Sequence, residues 1–196
     1  AVANRSRRAF AQGPLVSNCL SNRRTILDAS TTHRRHRILL LAYTCGPNRG
    51  SEPGVGWHRA LQTAHRYDTW VVCEASWRDS IDRWLDEHGP VPGLHFAFVP
   101  HTRLEHGLQR LPGGYYLALK WWQRRAFRVA RQLHAENQFD LVHQLTLCTF
   151  REPGYGWKLD APFVWGPLGG SQNYPVAFLG SAGWRGGMSE GFRLAL

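Results

Sequence analysis

The stretch RILLLAYTCGPNRGSEPGVGWHRALQTAHR, residues 37–66, joins two different patterns across one glycine-rich turn. It begins with a continuous apolar run, which is typical of a strand buried on both faces. Residues 51–66 then follow a helical pattern, which Ser51 or Glu52 can cap and whose first turn suits Pro53. A buried strand that leads directly into a helix is the first half of a βαβ unit.

The same alternation of strand and helix continues along the chain. Further strands are predicted at 68–75, 94–100, 139–146 and 161–166, and further helices at 76–88 and 115–137. Strands that alternate with helices predict right-handed βαβ units around a parallel sheet with both faces covered. The sequence therefore predicts an α/β, Rossmann-like domain over residues 37–180. The hexapeptide EPGVGW of residues 52–57 returns as EPGYGW at 152–157, but the flanking sequences do not match, so this is not a repeat architecture.

The positive charge of the chain is concentrated at its beginning. The 196 residues carry a formal net charge of +10, and residues 1–37 hold eight arginines against one acid, Asp28. Residues 1–36 lack apolar periodicity and are rich in Ser, Asn, Thr and Arg, which predicts a basic, disordered arm. The arm also lacks the apolar segment of a secretory signal.

The apolar runs and the cysteines indicate the compartment. The longest clean apolar run, ILLLAY at 38–43, is far too short to span a bilayer. The cysteines form no C-x-x-C pair and have no clustered histidines, so we expect no metal site; they are Cys19, Cys45, Cys73 and Cys148. Scattered thiols fit a reducing compartment, which favours the cytoplasm.

Three segments that are candidates for ligand binding lie at or after the ends of predicted strands. They are CGPNRGSEPGVGW at 45–57, HQLT at 143–146 and GPLGG at 166–170. In an open parallel sheet, ligands bind beyond the carboxyl ends of the strands. We therefore expect the three segments to converge on one edge of the sheet.

The first segment is a glycine loop that leads into a helix. Such a loop presents free N–H groups and the positive end of the helix dipole, which suits a phosphate or diphosphate. It is not a P-loop, because no Gly-Lys-Ser/Thr follows. Gly54 and Gly56 match the first two glycines of the dinucleotide fingerprint, but Arg59 stands at its third small position. Glu74, at the end of the second predicted strand, could serve as the acid that binds a ribose, so an NAD-type oxidoreductase is an alternative. The other alternative is a turn whose glycines only allow close packing.

The second and third segments offer side-chain and backbone chemistry respectively. In the second segment, His143 could act as a proton donor or bind a sugar hydroxyl, with Thr146 beside it. The alternative is a hydrogen-bonded histidine at a strand end.

In the third segment, Gly166, Gly169 and Gly170 permit positive φ and remove the Cβ atom, while Pro167 fixes one dihedral. This loop can therefore offer its amides to a ligand that lies directly against it.

Taken in order and spacing, GSEPGVGW (50–57), FDLVHQLT (139–146) and PFVWGPLGG (162–170) resemble the N-terminal half of GT-B glycosyltransferases. More narrowly, they resemble the retaining, nucleotide-sugar-dependent group called family four, over about 38–175. The resemblance implies transfer of a sugar from a nucleoside-diphosphate donor to a hydroxyl of a polysaccharide or lipid-linked acceptor. It also implies that neither a metal nor a resident cofactor is needed.

The resemblance assigns roles to three sets of residues. Those expected to approach the donor diphosphate are Gly50, Ser51, Glu52 and Gly54. Those expected to line the cleft beside the transferred sugar are Gly166, Pro167, Gly169 and Gly170. The expected catalytic pair, on the acceptor side, is His143 and Thr146. Gln144 stands where many relatives carry a second histidine.

The sequence also departs from this family in length. The donor-binding half of the family, with its paired glutamates, has no counterpart after Leu196, and SEGFRLAL at 189–196 has the pattern of a helix cut short. We therefore expect residues 181–196 to be the truncated start of the interdomain segment. The chain alone is expected to be an inactive fragment of a hexosyltransferase-like enzyme.

A binding module is the remaining alternative. A basic and aromatic cluster on the longest predicted helix consists of Lys120, Arg124, Arg125, Arg128 and Arg131 with Trp121, Trp122 and Phe127. Such a cluster can bind nucleic acid or anionic lipid. We favour instead the interpretation that the basic face of this helix is only solvated and that its aromatic side packs against the core. Nucleic acid is not expected as a partner, whereas a peripheral contact at the inner face of the membrane stays open.

Overall fold

The computed structural model of this protein describes residues 34–147, 149, 152–169, 178, 180, 181 and 183–194. Most of the predicted arm therefore lies outside the described residues. So do Cys19, Cys148 and Gly170.

Five strands form a single sheet in which every neighbouring pair is parallel. The strands are β1 (Arg37–Leu41), β2 (Asp68–Glu74), β3 (Leu94–Val99), β4 (Leu141–Gln144) and β5 (Phe163–Trp165). Their order in the sheet is β3-β2-β1-β4-β5. This confirms the predicted α/β, Rossmann-like fold. The strand order reverses between β1 and β4, and ligands bind at such a reversal in open α/β sheets.

Five helices accompany the strands in the described part of the chain. They are α1 (Ser51–Ala64), α2 (Arg78–His88), α3 (Arg103–Gln109), α4 (Gly114–Asn137) and α5 (Gly183–Leu194). Short 3₁₀ turns cover Ala75–Trp77 and Gly156–Lys158. None of the helices described has both the length and the apolar character that crossing a bilayer requires.

The two faces of β1 build two separate halves of the core. Ile38 and Leu40 point into a cluster that contains Trp57 of α1 and Ile81 of α2. Leu39 and Leu41 point the other way, into a cluster with Trp122, Ala126 and Ala130 of α4. Because successive side chains of a strand alternate between faces, both faces of β1 are buried, as its apolar run predicts.

Several predicted boundaries were wrong by a few residues. The predicted fourth strand, 139–146, is observed as β4 and ends at Gln144, shortly before Leu147 turns the chain with a φ of 68°. The first strand keeps pairing with β2 beyond Leu41, through the bond from Ala42 N to Val72 O. The helix expected at 189–196 begins earlier, at Gly183.

Two local predictions were wrong in kind. Neither Ser51 nor Glu52 caps α1: its N-cap is Gly50, and Ser51 has a φ of 57°, whereas an N-cap needs an extended backbone. The segment between β3 and α4, for which the sequence predicted neither a strand nor a helix, contains α3. A capping box starts α3, because Glu105 N donates to Thr102 Oγ1 at 3.2 Å and Thr102 N donates to Glu105 Oε2 at 2.9 Å.

Candidate functional site

Hydrogen bonds join the loops that follow β1, β4 and β5 into one rim. Thr44, after β1, donates its backbone N–H to Thr146 Oγ1 at 3.1 Å. Gly166, after β5, donates its N–H to the carbonyl of Gln144 at 3.1 Å. The three segments that the sequence analysis singled out therefore meet at the carboxyl edge of the sheet.

An open groove of about 280 Å³ lies at this edge. It is lined by Glu52, Tyr115, Tyr116, Leu119, Leu147, Thr149 and Gly169. Thr149 and Gly169 are joined by a parallel bridge that continues the pairing of β4 with β5 past the ends of both strands. The groove is close in size to the smaller ligand pockets of proteins. It combines two predicted site residues, Glu52 and Gly169, with side chains that the sequence analysis missed.

Other hollows lie elsewhere on the described part of the molecule, one of them a shallow hollow of about 510 Å³ on α3, lined by Arg103, His106, Gly107, Gln109 and Arg110. A cavity of about 20 Å³ between the sheet and α4 has room for about one water molecule. A wide, shallow hollow of about 630 Å³ is lined by residues in and after the last turns of α1, from Arg59 to Tyr67. None of these hollows contains a residue of the predicted catalytic, diphosphate-binding or cleft-lining sets, so the groove is the better candidate although two of them are larger.

Two glycines of the first segment are required by packing. A Cβ atom on Gly54 would collide with the carbonyl oxygen of Arg49. A Cβ atom on Gly56 would collide with the carbonyl oxygen of Thr44 and approach Cα of Cys45 to 3.2 Å. Both glycines are buried within α1, so they let the helix lie close to the loop from β1. Gly54 has this packing role whether or not a phosphate binds nearby.

Gly50 is different from these two glycines. It is exposed, its φ of −85° suits any residue, and a Cβ atom would meet nothing within 4 Å. Neither packing nor backbone conformation therefore requires a glycine at this position. It lies with the exposed Ser51 at the N-terminus of α1, where backbone N–H groups and the helix dipole favour an anion.

His143 is placed where it can hold the third segment. Its Nε2 lies 2.8 Å from the carbonyl oxygen of Gly166, so this nitrogen carries the proton and donates it. Burial of the ring lowers the pKa of His143 and the charge of Arg59 lowers it further, which together outweigh the opposite effect of the bond to Gly166. His143 is therefore neutral at pH 7, and its Nδ1 keeps a lone pair that can accept a hydrogen bond.

Thr146 and Gly166 have structural tasks at the rim. The side chain of Thr146 is completely buried, and its hydroxyl accepts the bond from Thr44. Thr146 thus ties the loop after β1 to the loop after β4 and does not reach the groove. Gly166 has a φ of 148°, a conformation that favours glycine, and its bond to Pro167 is cis.

A buried polar network at the same edge escaped the sequence analysis. Tyr43 Oη lies 2.9 Å from His101 Nε2, and His101 Nδ1 lies 3.1 Å from Glu105 Oε2. Arg125 pairs with both carboxylate oxygens of Glu105, with its Nε 3.1 Å from Oε1. Only the i, i+4 spacing of His101 and Glu105 is local in sequence, so no short motif could have revealed the set.

The electrostatics of this network fix its proton positions. Burial alone would raise the pKa of Glu105, but hydrogen bonds from the Thr102 N–H and from Arg125 outweigh it, and the pKa is lowered. Because the oxygens of the ionised Glu105 can only accept hydrogen bonds, His101 donates to Oε2 from Nδ1. Burial, assisted by the nearby Tyr115 and acidic groups, raises the pKa of Tyr43, which stays a neutral phenol.

Glu74, the residue on which the NAD alternative depends, is hydrogen-bonded to a neighbouring residue in the chain. Glu74 is buried, and its Oε2 accepts bonds from Ser76 N at 2.9 Å and from Ser76 Oγ. These bonds cap the 3₁₀ turn after β2. They explain the position of the carboxylate without a ribose.

The basic cluster on α4 divides as the favoured interpretation requires. Trp122 is buried, and its Nε1 donates to the carbonyl of Val99 at 2.8 Å. Phe127 packs against the same half of the core. Arg125 forms an ion pair with Glu105, whereas Arg124, Arg128 and Arg131 are exposed. The aromatic side chains that would stack on a base therefore belong mostly to the core.

Among the residues described, no group of three or more His, Cys, Asp or Glu side chains could hold a metal ion. Cys45 and Cys73 are buried free thiols, and burial raises the pKa of both. The candidate site therefore consists of the groove and its rim. No family model, no curated protein and no solved structure matches this chain.

Proposed function

We propose that this chain acts as the N-terminal, acceptor-side domain of a GT-B glycosyltransferase of the retaining family-four type. The enzyme transfers a sugar from a nucleoside-diphosphate donor to a hydroxyl of a polysaccharide or lipid-linked acceptor at the cytoplasmic side of a membrane. One observation carries the proposal: the three segments that resemble this family meet at one rim, where Glu52 and Gly169 line the same groove.

The donor diphosphate is assigned to the N-terminus of α1. Gly50 and Ser51 are exposed there, and neither packing nor backbone conformation requires the glycine, which also serves as the N-cap. Its bare backbone allows a phosphate oxygen to approach the N–H groups of the first helical turn. The same groups would stabilise the negative charge that develops on the leaving diphosphate.

The groove itself suits a sugar better than a phosphate. The carboxylate of Glu52 would repel a phosphate that lay beside it, but it accepts hydrogen bonds from sugar hydroxyls. Tyr115 and Tyr116 add aromatic surface with polar tips, the usual lining of a small-molecule site. We therefore assign Glu52 to the transferred sugar or the acceptor, and only Gly50 and Ser51 to the diphosphate.

His143 supports the proposal through the loop that it holds. Its bond to Gly166 fixes the first residue of the glycine segment against β4. The free lone pair on Nδ1 is an acceptor for a hydroxyl proton, which is the contribution expected of a residue on the acceptor side. Thr146 acts through the rim and is a positioning residue.

The test is thermal protection of the full chain by ligands. We expect a nucleoside diphosphate or one of its sugar conjugates to raise the Tm, because a ligand that binds only the folded state stabilises it. NAD is expected to leave the Tm unchanged. Gly50→Val should lose the ligand shift, since its side chain fills the space of the phosphate, and its unliganded Tm should fall slightly, because valine is a poorer N-cap residue than glycine. Gly107→Val, also at a glycine with nothing within 4 Å of its Cβ position, is the matched control and should keep the shift.

Three outcomes would count against the proposal. Protection by NAD, with none by sugar nucleotides, would favour a dinucleotide-binding oxidoreductase. An undiminished shift in Gly50→Val would remove α1 from the binding site. Absence of protection by every compound would overturn the assignment of the donor diphosphate to the N-terminus of α1.

A further inference from the structure

The hairpin formed by α3 and the start of α4 exposes a concentrated set of apolar side chains. Leu104 is 63% exposed, Leu111 58% and Tyr116 59%, and Tyr115 and Leu117 are also exposed. Of the twelve exposed large hydrophobic residues in the described part of the chain, five thus fall within 104–117. Such a concentration, unlike scattered single residues, marks a contact surface.

The charge of this hairpin has one sign at its surface. Arg103 and Arg110 are exposed, and so is His106. Glu105 is the single acidic residue between positions 100 and 117, and it is buried in its ion pair with Arg125. The outer surface therefore combines apolar groups with cations and offers no exposed carboxylate.

Leu104 and Leu111 each directly follow an arginine in the chain. Leu104 lies in α3 after Arg103, and Leu111 lies in the turn after α3, following Arg110. The aliphatic stems of arginines can follow the leucines while their guanidinium groups stay in water or contact phosphates.

We propose that the α3–α4 hairpin docks on an anionic lipid surface. Leucines insert into the boundary between headgroups and acyl chains, tyrosines favour that boundary, and arginines bind anionic headgroups. Charge complementarity selects this occupant, because the hairpin has exposed cations around an apolar centre and no exposed acid.

The hairpin is already held in shape, so docking costs little ordering entropy. Arg125 bonds to Glu105 and also to the carbonyl of Pro100 at 2.6 Å. Gly114 lies so close to α3 that a Cβ atom would collide with the carbonyl oxygen of Leu108. A preformed surface keeps more of its contact energy as affinity than one that must fold on binding.

Docking of the hairpin would bring the groove next to the lipid surface. Tyr115 and Tyr116 belong both to the exposed hairpin and to the groove lining. The groove therefore opens beside the docked surface. Docking itself goes beyond the proposed function and needs no sugar; only the corollary that a lipid-linked acceptor enters the groove from the membrane rests on that function.

The experiment is co-sedimentation of the full chain with vesicles at physiological salt. Phosphatidylcholine mixed with phosphatidylglycerol is compared with phosphatidylcholine alone. We expect binding to the mixed vesicles, and a loss of about tenfold in affinity in Leu104→Ser/Leu111→Ser, which removes apolar contact but touches no groove residue. Arg103→Gln/Arg110→Gln should lose about fivefold per arginine on anionic vesicles.

Matched controls separate the hairpin from the basic arm. Trp157→Ser removes another exposed apolar residue, 54% exposed and beside Lys158, and Arg83→Gln removes an exposed arginine of α2; neither should change binding. Equal binding by the parent and both hairpin variants would assign attachment to the arm and overturn the proposal. So would equal binding to neutral vesicles, or a parent chain that does not bind.

A protein occupant is tested in the same samples. Self-association of the parent that is lost in Leu104→Ser/Leu111→Ser, without lipid binding, would show a second copy on this face and overturn the proposal. Ligand protection is measured without vesicles, so a failure of docking stays distinguishable from a failure of the glycosyltransferase assignment.

Discussion

Residues 52–57, EPGVGW, and residues 152–157, EPGYGW, place nearly the same hexapeptide in two settings. The first forms the opening turns of α1, with both glycines buried under the loop from β1. The second enters only a 3₁₀ turn, and its Gly154 has a φ of 64°. Both glycines of the first hexapeptide therefore allow close approach of a helix, whereas in the second Gly154 forms a left-handed bend and Gly156 packs against core side chains.

The tryptophans end in opposite environments. Trp57 is 2% exposed, with its ring centroid 4.9 Å from that of Trp84 and 6.2 Å from that of Phe96. Trp157 is largely exposed, and its Nε1 donates back to the carbonyl of Gly154 at 3.2 Å. The same side chain is a core element in one hexapeptide and a surface element in the other.

The cause lies in the residues on the C-terminal side of each hexapeptide. After Trp57, small and apolar residues at helical spacing, Ala60, Leu61 and Ala64, continue the buried face of α1. After Trp157, Pro162 ends any helix within a few residues, and a helix that short does not hold together. The local sequence permits both structures, and the flanks select one.

The largest expected difference concerns the tryptophans. Trp57→Ala should lower the free energy of unfolding by about 4 kcal/mol, because it empties a fully packed site. Trp157→Ala should change it by less than about 0.5 kcal/mol, as a surface substitution. Urea denaturation of both variants measures the difference, and comparable losses would mean that the two environments have been misjudged.

The second test compares the glycines before each tryptophan. Gly56→Ala should cost about 3 kcal/mol, since the new methyl group meets backbone atoms of Thr44 and Cys45. Gly156→Ala should cost about 1 kcal/mol, since its methyl group meets Leu41 Cδ1 at 2.6 Å and Phe163 Cε2 at 3.0 Å, both on side chains that can move. Equilibrium unfolding gives the ranking, and the reverse order would refute this explanation.

A third test addresses the left-handed backbone of the second hexapeptide. Gly154→Ala should cost about 1–2 kcal/mol, because its φ of 64° is unfavourable for an L-residue and its methyl group would also meet Gln144 Oε1 at 2.7 Å. Gly107→Ala, in α3 with nothing within 4 Å of the new methyl group, should instead stabilise by about 0.5–1 kcal/mol. Thermal unfolding of the two variants should therefore shift in opposite directions.

The smallest expected effect makes the two hexapeptides identical. Val55→Tyr should change stability by less than about 0.5 kcal/mol, because Val55 is 39% exposed on α1. The helical content measured by far-UV circular dichroism should not change. A loss of helix would show that Val55, and not the flanking sequence, directs the first hexapeptide into α1.

The sequence predicted the order of strands and helices because buried strands and amphipathic helices have strong, local periodicity. The run that became β1 and the pattern of α4 are examples. It missed α3 because that helix is short and contains Gly107, although Thr102 and Glu105 already spelled a capping box.

The candidate site was only partly visible for a physical reason. The convergence of the three segments follows from parallel strands, so it could be predicted. Gly54 and Gly56 are needed because α1 lies against the carbonyl oxygens of Arg49 and Thr44 respectively. The polar network that runs from Tyr43 to Arg125 joins residues far apart in the chain. No pattern in a single sequence reports such distances.

The anchoring of α3 has a consequence for how its surface can evolve. A helix of seven residues is too short to persist in water by itself, so α3 depends on the buried carboxylate of Glu105 and its bond to Arg125. Its outward positions contribute little to whether the helix exists. Mutations there can therefore exchange one surface chemistry for another while the fold is kept, so that descendants of this protein could acquire new attachment sites without first finding compensating changes in the core.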